Sequence, residues 1–265
     1  MKTFVWLAVM FLGWHQNVAA EIGFGAEVFR WKVTNSTPQT TVEVSSNSVP
    51  ANRLAVMFLG WEADSSTLLS NVYDSRGYSW TIGVTNLIST VHQSAIAWCW
   101  ATNGLDTNDT ITVGFSAGNN AVRAGTLCHL AGASQSQSGQ FLKTNRFGSS
   151  VSVPFAPTNN NVLLMVMVQR EQPSLYSGFD GTRIGGAAQT YGESGGTVGL
   201  QHDMIYKLMP TAGNYDPGGQ FTDGGNPTNE SHVVNWIAFD ADLSASFVRS
   251  RLTGIQTLSG KAVWR

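Results

Sequence analysis

The chain predicts an all-β fold, an antiparallel two-sheet sandwich, and three observations predict it. Short apolar runs and period-two alternation recur along the whole of its 265 residues, the pattern of strands buried on one or both faces. Clusters rich in Gly, Asn, Asp, Ser and Pro separate them, among them SNSVPAN, YDSRGY, TNGLDTND, TAGNYDPGG and TDGGNPTNE; these supply turn geometry. No stretch longer than about two turns keeps a helical period with caps. A dozen short strands without intervening helices pack as two sheets face to face.

In chain order, the first strands are expected at Glu27–Thr34, Thr40–Ser45, Arg53–Trp61, Tyr78–Thr85, Ser94–Ala101, Thr110–Phe115 and Ala121–Leu130. The remainder fall at Ser150–Phe155, Val162–Glu171, Arg183–Thr190, Val198–Leu208 and Val233–Asp240. Ser65–Ser70 is the one place read as a short helical turn. NVLLMVMV is apolar at every second and every first position alike, so its strand is expected to be covered on both faces. Strand-like segments run without a linker, which makes residues 27–243 one domain. Residues 1–26 form an N-terminal arm or signal, and residues 244–265 a tail with four basic and no acidic residues.

The octapeptide LAVMFLGW occurs twice, at Leu7–Trp14 and at Leu54–Trp61. The flanks share nothing, so this is not a solenoid or propeller repeat. Around the first copy, Lys2, the apolar run Phe4–Trp14 and the small residues Val18-Ala19-Ala20 have the layout of a secretory signal cleaved near Ala20. The run is too short to span a bilayer. The second copy reads as an internal strand, which favours a retained β-forming arm for the first.

Charged residues are only 12% of the chain, against about a quarter in an average soluble protein. The net charge of −2 offers no field to recruit nucleic acid or an acidic membrane. Cys99 and Cys128 allow one disulfide or, equally, two buried thiols in neighbouring strands. Neither CxxC nor HxxxH spacing accompanies them, so no metal and no other cofactor is expected.

Enzyme motifs are absent: there is no GxSxG elbow, phosphate-binding GxxxxGK[ST] loop, HExxH or GxGxxG before a helix. Glu62-Ala63-Asp64 resembles the start of the carboxylate motif of laminarinase-like sandwich glycosidases. Ser65, Ser66 and Thr67 follow where the second carboxyl group should stand, so the pair that such chemistry needs is missing. GESGGTVG at 192–199 reads as a hairpin loop. His202 and Asp203 are adjacent in a strand and therefore point to opposite faces, which is poor for a dyad. Non-enzymatic roles are therefore expected. Loops carrying Tyr176, Asn214, Tyr215, Asp216, Phe221, Asp223 and Asn226 offer stacking rings and amide or carboxylate groups suited to a glycan, though each also serves as an ordinary turn.

NVYDSRGYSWTIG resembles the Asp-Ser-x-Gly-Asn-x-Trp-Thr strand pair of a concanavalin-like or jelly-roll sandwich family common among tailed-phage virion proteins. AIAWCWATNGLDTNDTITVGFS, AGTLCHLAGAS, MIYKLMPTAGNYD and VVNWIAFDADL are similar in rhythm, and together they cover about residues 53–243. The resemblance implies a structural virion protein, foremost a capsid decoration or cement protein on the shell surface. Its implied partners are the major capsid protein and further copies of itself, as a trimer. The expected contacts are Phe4, Trp6, Phe11 and Trp14 of the arm with Phe247, Arg249, Arg251 and Trp264 of the tail. Two alternatives stand beside it: a tail-fibre or collar head that binds a host-surface glycan, and a secreted lectin-like module.

Overall fold

In the computed structural model the described residues are 21–35, 38–44, 47–62, 68–83, 86–87, 92–116, 121–135, 140–147, 150–170, 175–185, 189–192, 199–222 and 231–242. Every strand pairing among them is antiparallel, and none of them is helical. The first six-stranded sheet runs β1 (Gly23–Asn35), β9 (Ala121–Ala131), β3 (Arg53–Glu62) and β7 (His92–Ala101), with β5 (Thr81–Ile82) and β6 (Asn86–Leu87) both against β7. The second runs β10 (Gln140–Phe147), β17 (Ser231–Asp240), β11 (Val162–Arg170) and β15 (Gly199–Met209), with β13 (Thr182–Arg183) and β14 (Gln189–Gly192) against β15. These two sheets are the sandwich that the strand pattern predicts.

A third sheet, β2 (Gln39–Glu43), β8 (Thr110–Phe115) and β4 (Leu69–Asp74), covers the outer face of the first. β12 (Leu175–Ser177) and β16 (Gln220–Thr222) make a two-stranded ribbon. The result is a stack of apolar layers. Strand β3 shows how one sequence serves two of them. Ala55, Met57, Leu59 and Trp61 enter the core beneath the third sheet, while Leu54, Val56 and Phe58 enter the core between the two large sheets. All seven are at most 1% exposed, and burying each of the larger ones contributes about 1.5–3 kcal/mol.

Strand β11 repeats the arrangement. Leu163, Met165 and Met167 face the first sheet, and Val162, Leu164, Val166 and Val168 face a further core with Val151, Val153 and Phe155. The double-sided burial expected of NVLLMVMV is present. Edge-to-face ring pairs lock the layers: Trp61 on Phe115 at 5.4 Å and Trp98 on Phe239 at 5.9 Å. Such pairs add to area burial by about 0.5–1.5 kcal/mol.

Several expected elements differ. The helical turn at Ser65–Ser70 is not formed by its described part, because Leu69 and Ser70 open β4; residues 65–67 lie outside the described residues. Of Tyr78–Thr85 the described part is strand only at Thr81–Ile82, since Tyr78 and Trp80 are engaged in a turn; residues 84 and 85 lie outside the described residues. Ser150–Phe155 holds only isolated bridges, Ser150 with Gln220 and Phe155 with Tyr215. Arg183–Thr190 divides into β13 and β14. The sandwich also begins ahead of Glu27, for Ile22 is already fully buried in the middle core.

Candidate functional site

Three places concentrate polar chemistry. The first is the NVYDSRGYSW segment. The buried Asp74 carboxylate accepts from the backbone N–H of Arg76 at 2.8 Å and from Trp80 Nε1 at 2.6 Å, with a longer bond from Tyr78 N–H. Arg76 Nε donates to both oxygens of Asp109 at 2.7 and 2.9 Å, and its Nη2 reaches Asp106. Ser75 and the Asp106 N–H also donate to Asp109. Burial works to raise the Asp109 carboxyl, but the bonds from Arg76, Asp106 N–H and Ser75 outweigh it and hold its pKa below the ordinary aspartate value. Tyr78 OH closes the network on the Gly104 carbonyl. These groups tie the turn after β4 to the turn before β8. Their bonding is internal, so the motif that carries the family resemblance acts here as a structural buckle.

The second place is a polar seam between the two large sheets. Gly60 on β3 is paired with Ser94 on β7, and Gln169 on β11 with His202 on β15. All four, with Asn235 on β17, are buried. Asn235 Nδ2 donates to Ser94 Oγ at 2.6 Å and links the sheets directly. A side chain on Gly60 would overlap the His202 imidazole and the Gln169 amide. His202 thus faces the first sheet. Its neighbour Asp203 faces away and pairs with Arg183 at 2.7 Å, so the opposite orientation expected of these two residues is what the strand delivers.

The third place is the pole where the described chain begins and ends. Gly23 pairs with Ala131, Ala133 bridges Ala241, the Asp242 N–H donates to the Gly132 carbonyl at 2.8 Å, and the Ser134 N–H to Asp240. Gly132 has φ +66, and a side chain there would overlap the Glu21 carbonyl. One tight turn therefore holds both ends. A Gly just past a strand in AGAS was the only sequence signal for it, and it did not reveal which segments would meet there.

The expected contact residues Phe4, Trp6, Phe11, Trp14, Phe247, Arg249, Arg251 and Trp264 lie outside the described residues, as do Asp223 and Asn226. Tyr176 and Phe221 are cross-strand partners in the ribbon of β12 and β16. Asn214 is exposed. Tyr215 is half-buried on the outermost core, and its hydroxyl donates to the Thr211 carbonyl at 2.8 Å. Asp216 accepts from Ser152 and from the backbone N–H groups of Val153 and Gly218. The chain brings 176 to 221 and 214 to 216, but employs Tyr215 and Asp216 in its own turn.

Cys99 and Cys128 are both free and buried. They are paired with consecutive β3 residues, Ala55 and Val56, and so stand on opposite faces of the first sheet. That geometry excludes the disulfide. Burial pushes both thiols well above their ordinary pKa, with a smaller contribution from Asp74 at Cys99 and from Glu27 at Cys128. Among the described residues, no three of His, Cys, Asp or Glu stand together as a group able to hold a metal ion.

No family model, no curated protein and no solved structure matches this chain.

Proposed function

We propose that the chain is a non-enzymatic structural protein that attaches its sandwich to a larger assembly through its two terminal segments. The assembly implied by the sequence resemblance is a tailed-phage virion, with the protein decorating the capsid surface. One observation carries the reading: the arm and the tail join the sandwich at the same turn, Ala131–Ser134. The reading assigns the attachment to aromatic Phe4, Trp6, Phe11 and Trp14 and to basic-aromatic Phe247, Arg249, Arg251 and Trp264, in the segments that flank residues 21 and 242. Joint burial of such segments on a neighbouring subunit supplies the apolar area that a weakly charged shell lacks. The test is co-expression of the full chain with the capsid protein of its own genome. Sedimentation with assembled shells, lost on Phe11→Asp or Trp264→Asp, supports the reading; sedimentation apart from shells rejects it.

A secreted lectin-like module is the second reading, and the signal-like layout of Lys2, the apolar run Phe4–Trp14 and Val18-Ala19-Ala20 favours it. N-terminal sequencing separates the two: a start at Glu21 supports secretion, and an intact Met1 rejects it.

A further inference from the structure

The middle core changes character along the strands that line it. On the first sheet, Val56 and Phe58 of β3 are followed on the same face by Gly60, and Trp98 and Ile96 of β7 by Ser94. On the second sheet, Met165 and Met167 of β11 give way to Gln169, Tyr206 and Met204 of β15 to His202, and Phe239 and Ile237 of β17 to Asn235. All five of these end positions are buried. The polar seam is therefore an internal layer, closed off from solvent.

Two of its amides lack protein partners. Gln169 is fully buried, yet neither its Oε1 nor its Nε2 meets a hydrogen-bonding group. Asn235 is 3% exposed; its Nδ2 donates to Ser94 Oγ, and its Oδ1 accepts from no protein group. Buried amides in folded proteins are bonded either to protein or to ordered water, with few exceptions. The strand register puts the two amides within reach of one water. Asn235 is paired with Met167, two residues before Gln169 on β11, which makes it the diagonal neighbour of Gln169 on their shared face, roughly 7–8 Å away along the backbone. Facing them the first sheet carries Gly60, Ser94 and Ala124, the smallest residues on that side. The His202 ring and the Gln169 amide lie against Gly60.

The unmet groups define the ligand. Gln169 Oε1 and Asn235 Oδ1 require a donor, and Gln169 Nε2 requires an acceptor. A cation serves only the two oxygens and an anion only the nitrogen. Asp203, next to His202 in the chain, faces away and pairs with Arg183. Water donates and accepts in the smallest volume, and internal waters are held by two to four such groups. We propose that the seam binds at least one internal water, which bridges the Gln169 amide to Asn235 Oδ1. The water extends the bond between Ser94 and Asn235 into a network over β7, β17 and β11. Directional bonds of this kind fix how the two sheets align, where apolar contact alone is indifferent to small slides. The inference concerns the sandwich and is independent of the assembly it serves.

Gln169→Met keeps the side-chain length and removes both amide atoms. Oxygen-17 relaxation dispersion of the solvent counts waters held inside a protein, and it is measured on the full chain with and without the substitution. The expected result is an amplitude lower by at least one water in Q169M, with the strand signature in circular dichroism unchanged. An equal amplitude in a folded variant overturns the inference. Should Q169M fail to fold, a crystal structure of the unsubstituted chain, at a resolution that shows ordered solvent, decides. A water oxygen within about 3.2 Å of both the Gln169 amide and Asn235 Oδ1 supports the proposal. A Gln169 amide bonded directly to His202, Asn235 or another protein group overturns it, as does one with no solvent beside it.

Discussion

Gly60 on β3 lies directly against the imidazole of His202 on β15, and no side chain fits between them. This close approach brings the two large sheets together at their polar seam, where Asn235 is bonded to Ser94. The glycine is there to let a histidine ring rest on backbone.

Gly60→Ala is expected to cost about 1–3 kcal/mol through overpacking, measured by urea denaturation of the full chain. In a His202→Ala background the same substitution should cost less, because the nearer obstruction is gone and only the Gln169 amide remains in the way. Equal costs in both backgrounds would show that the strain lies elsewhere.

Asp74→Ala removes the acceptor for two backbone N–H groups and the Trp80 indole. Leaving these part-buried donors without their acceptor costs up to about 1–3 kcal/mol, and the loss should register as a lower thermal midpoint. Trp80 fluorescence cannot report it cleanly among nine tryptophans. Loss of protection of the Arg76 and Tyr78 amides in hydrogen exchange is the specific readout. Unchanged protection would remove Asp74 from the buckle.

Asp109 gives the fold an acid-sensitive limb. Its pKa is lowered in the folded protein, so its contribution is fully present above the unfolded value, about 3.9. It is lost as pH falls through the lower folded value. Stability measured against pH should decline there, and Asp109→Asn should flatten that part of the curve while lowering stability at neutral pH. A parallel decline in the variant would assign the acid limb to other carboxylates.

Cys99 and Cys128 should remain thiols in the native protein even under air oxidation. Intact mass after alkylation is expected to show no adduct on the folded chain and two adducts after unfolding. An internal disulfide would contradict the strand register itself, since the two side chains stand on opposite faces of one sheet.

Much of this fold is legible in the sequence where a strand is buried on both faces. β3 and β11 stand out because their long apolar runs leave few alternatives, and β8, TITVGF, because Ile111, Val113 and Phe115 alternate with threonine and glycine between turn residues. β10, QFLKTNRF, is hidden for the opposite reason: it is an edge strand in the second sheet, and its polar residues carry no clear alternation. β4 is hidden because its described burial is irregular, consistent with its register shift between Leu69 and Asn71. The polar seam is illegible locally. Gly60, Ser94, Gln169, His202 and Asn235 come from five strands, and only the pairing of distant segments assembles them. The buckle at Asp74 was visible as a motif, but its engagement by Asp109 rests on a turn 35 residues further on.

The most direct test of the account is the state of the protein recovered from purified particles released by cells carrying its native gene neighbourhood. Intact mass and N-terminal sequence are measured on that material, together with its ratio to the shell protein. The expected chain begins at Met1 and is present in fixed proportion to the shell. A chain beginning at Glu21 and found in the medium apart from particles would contradict it.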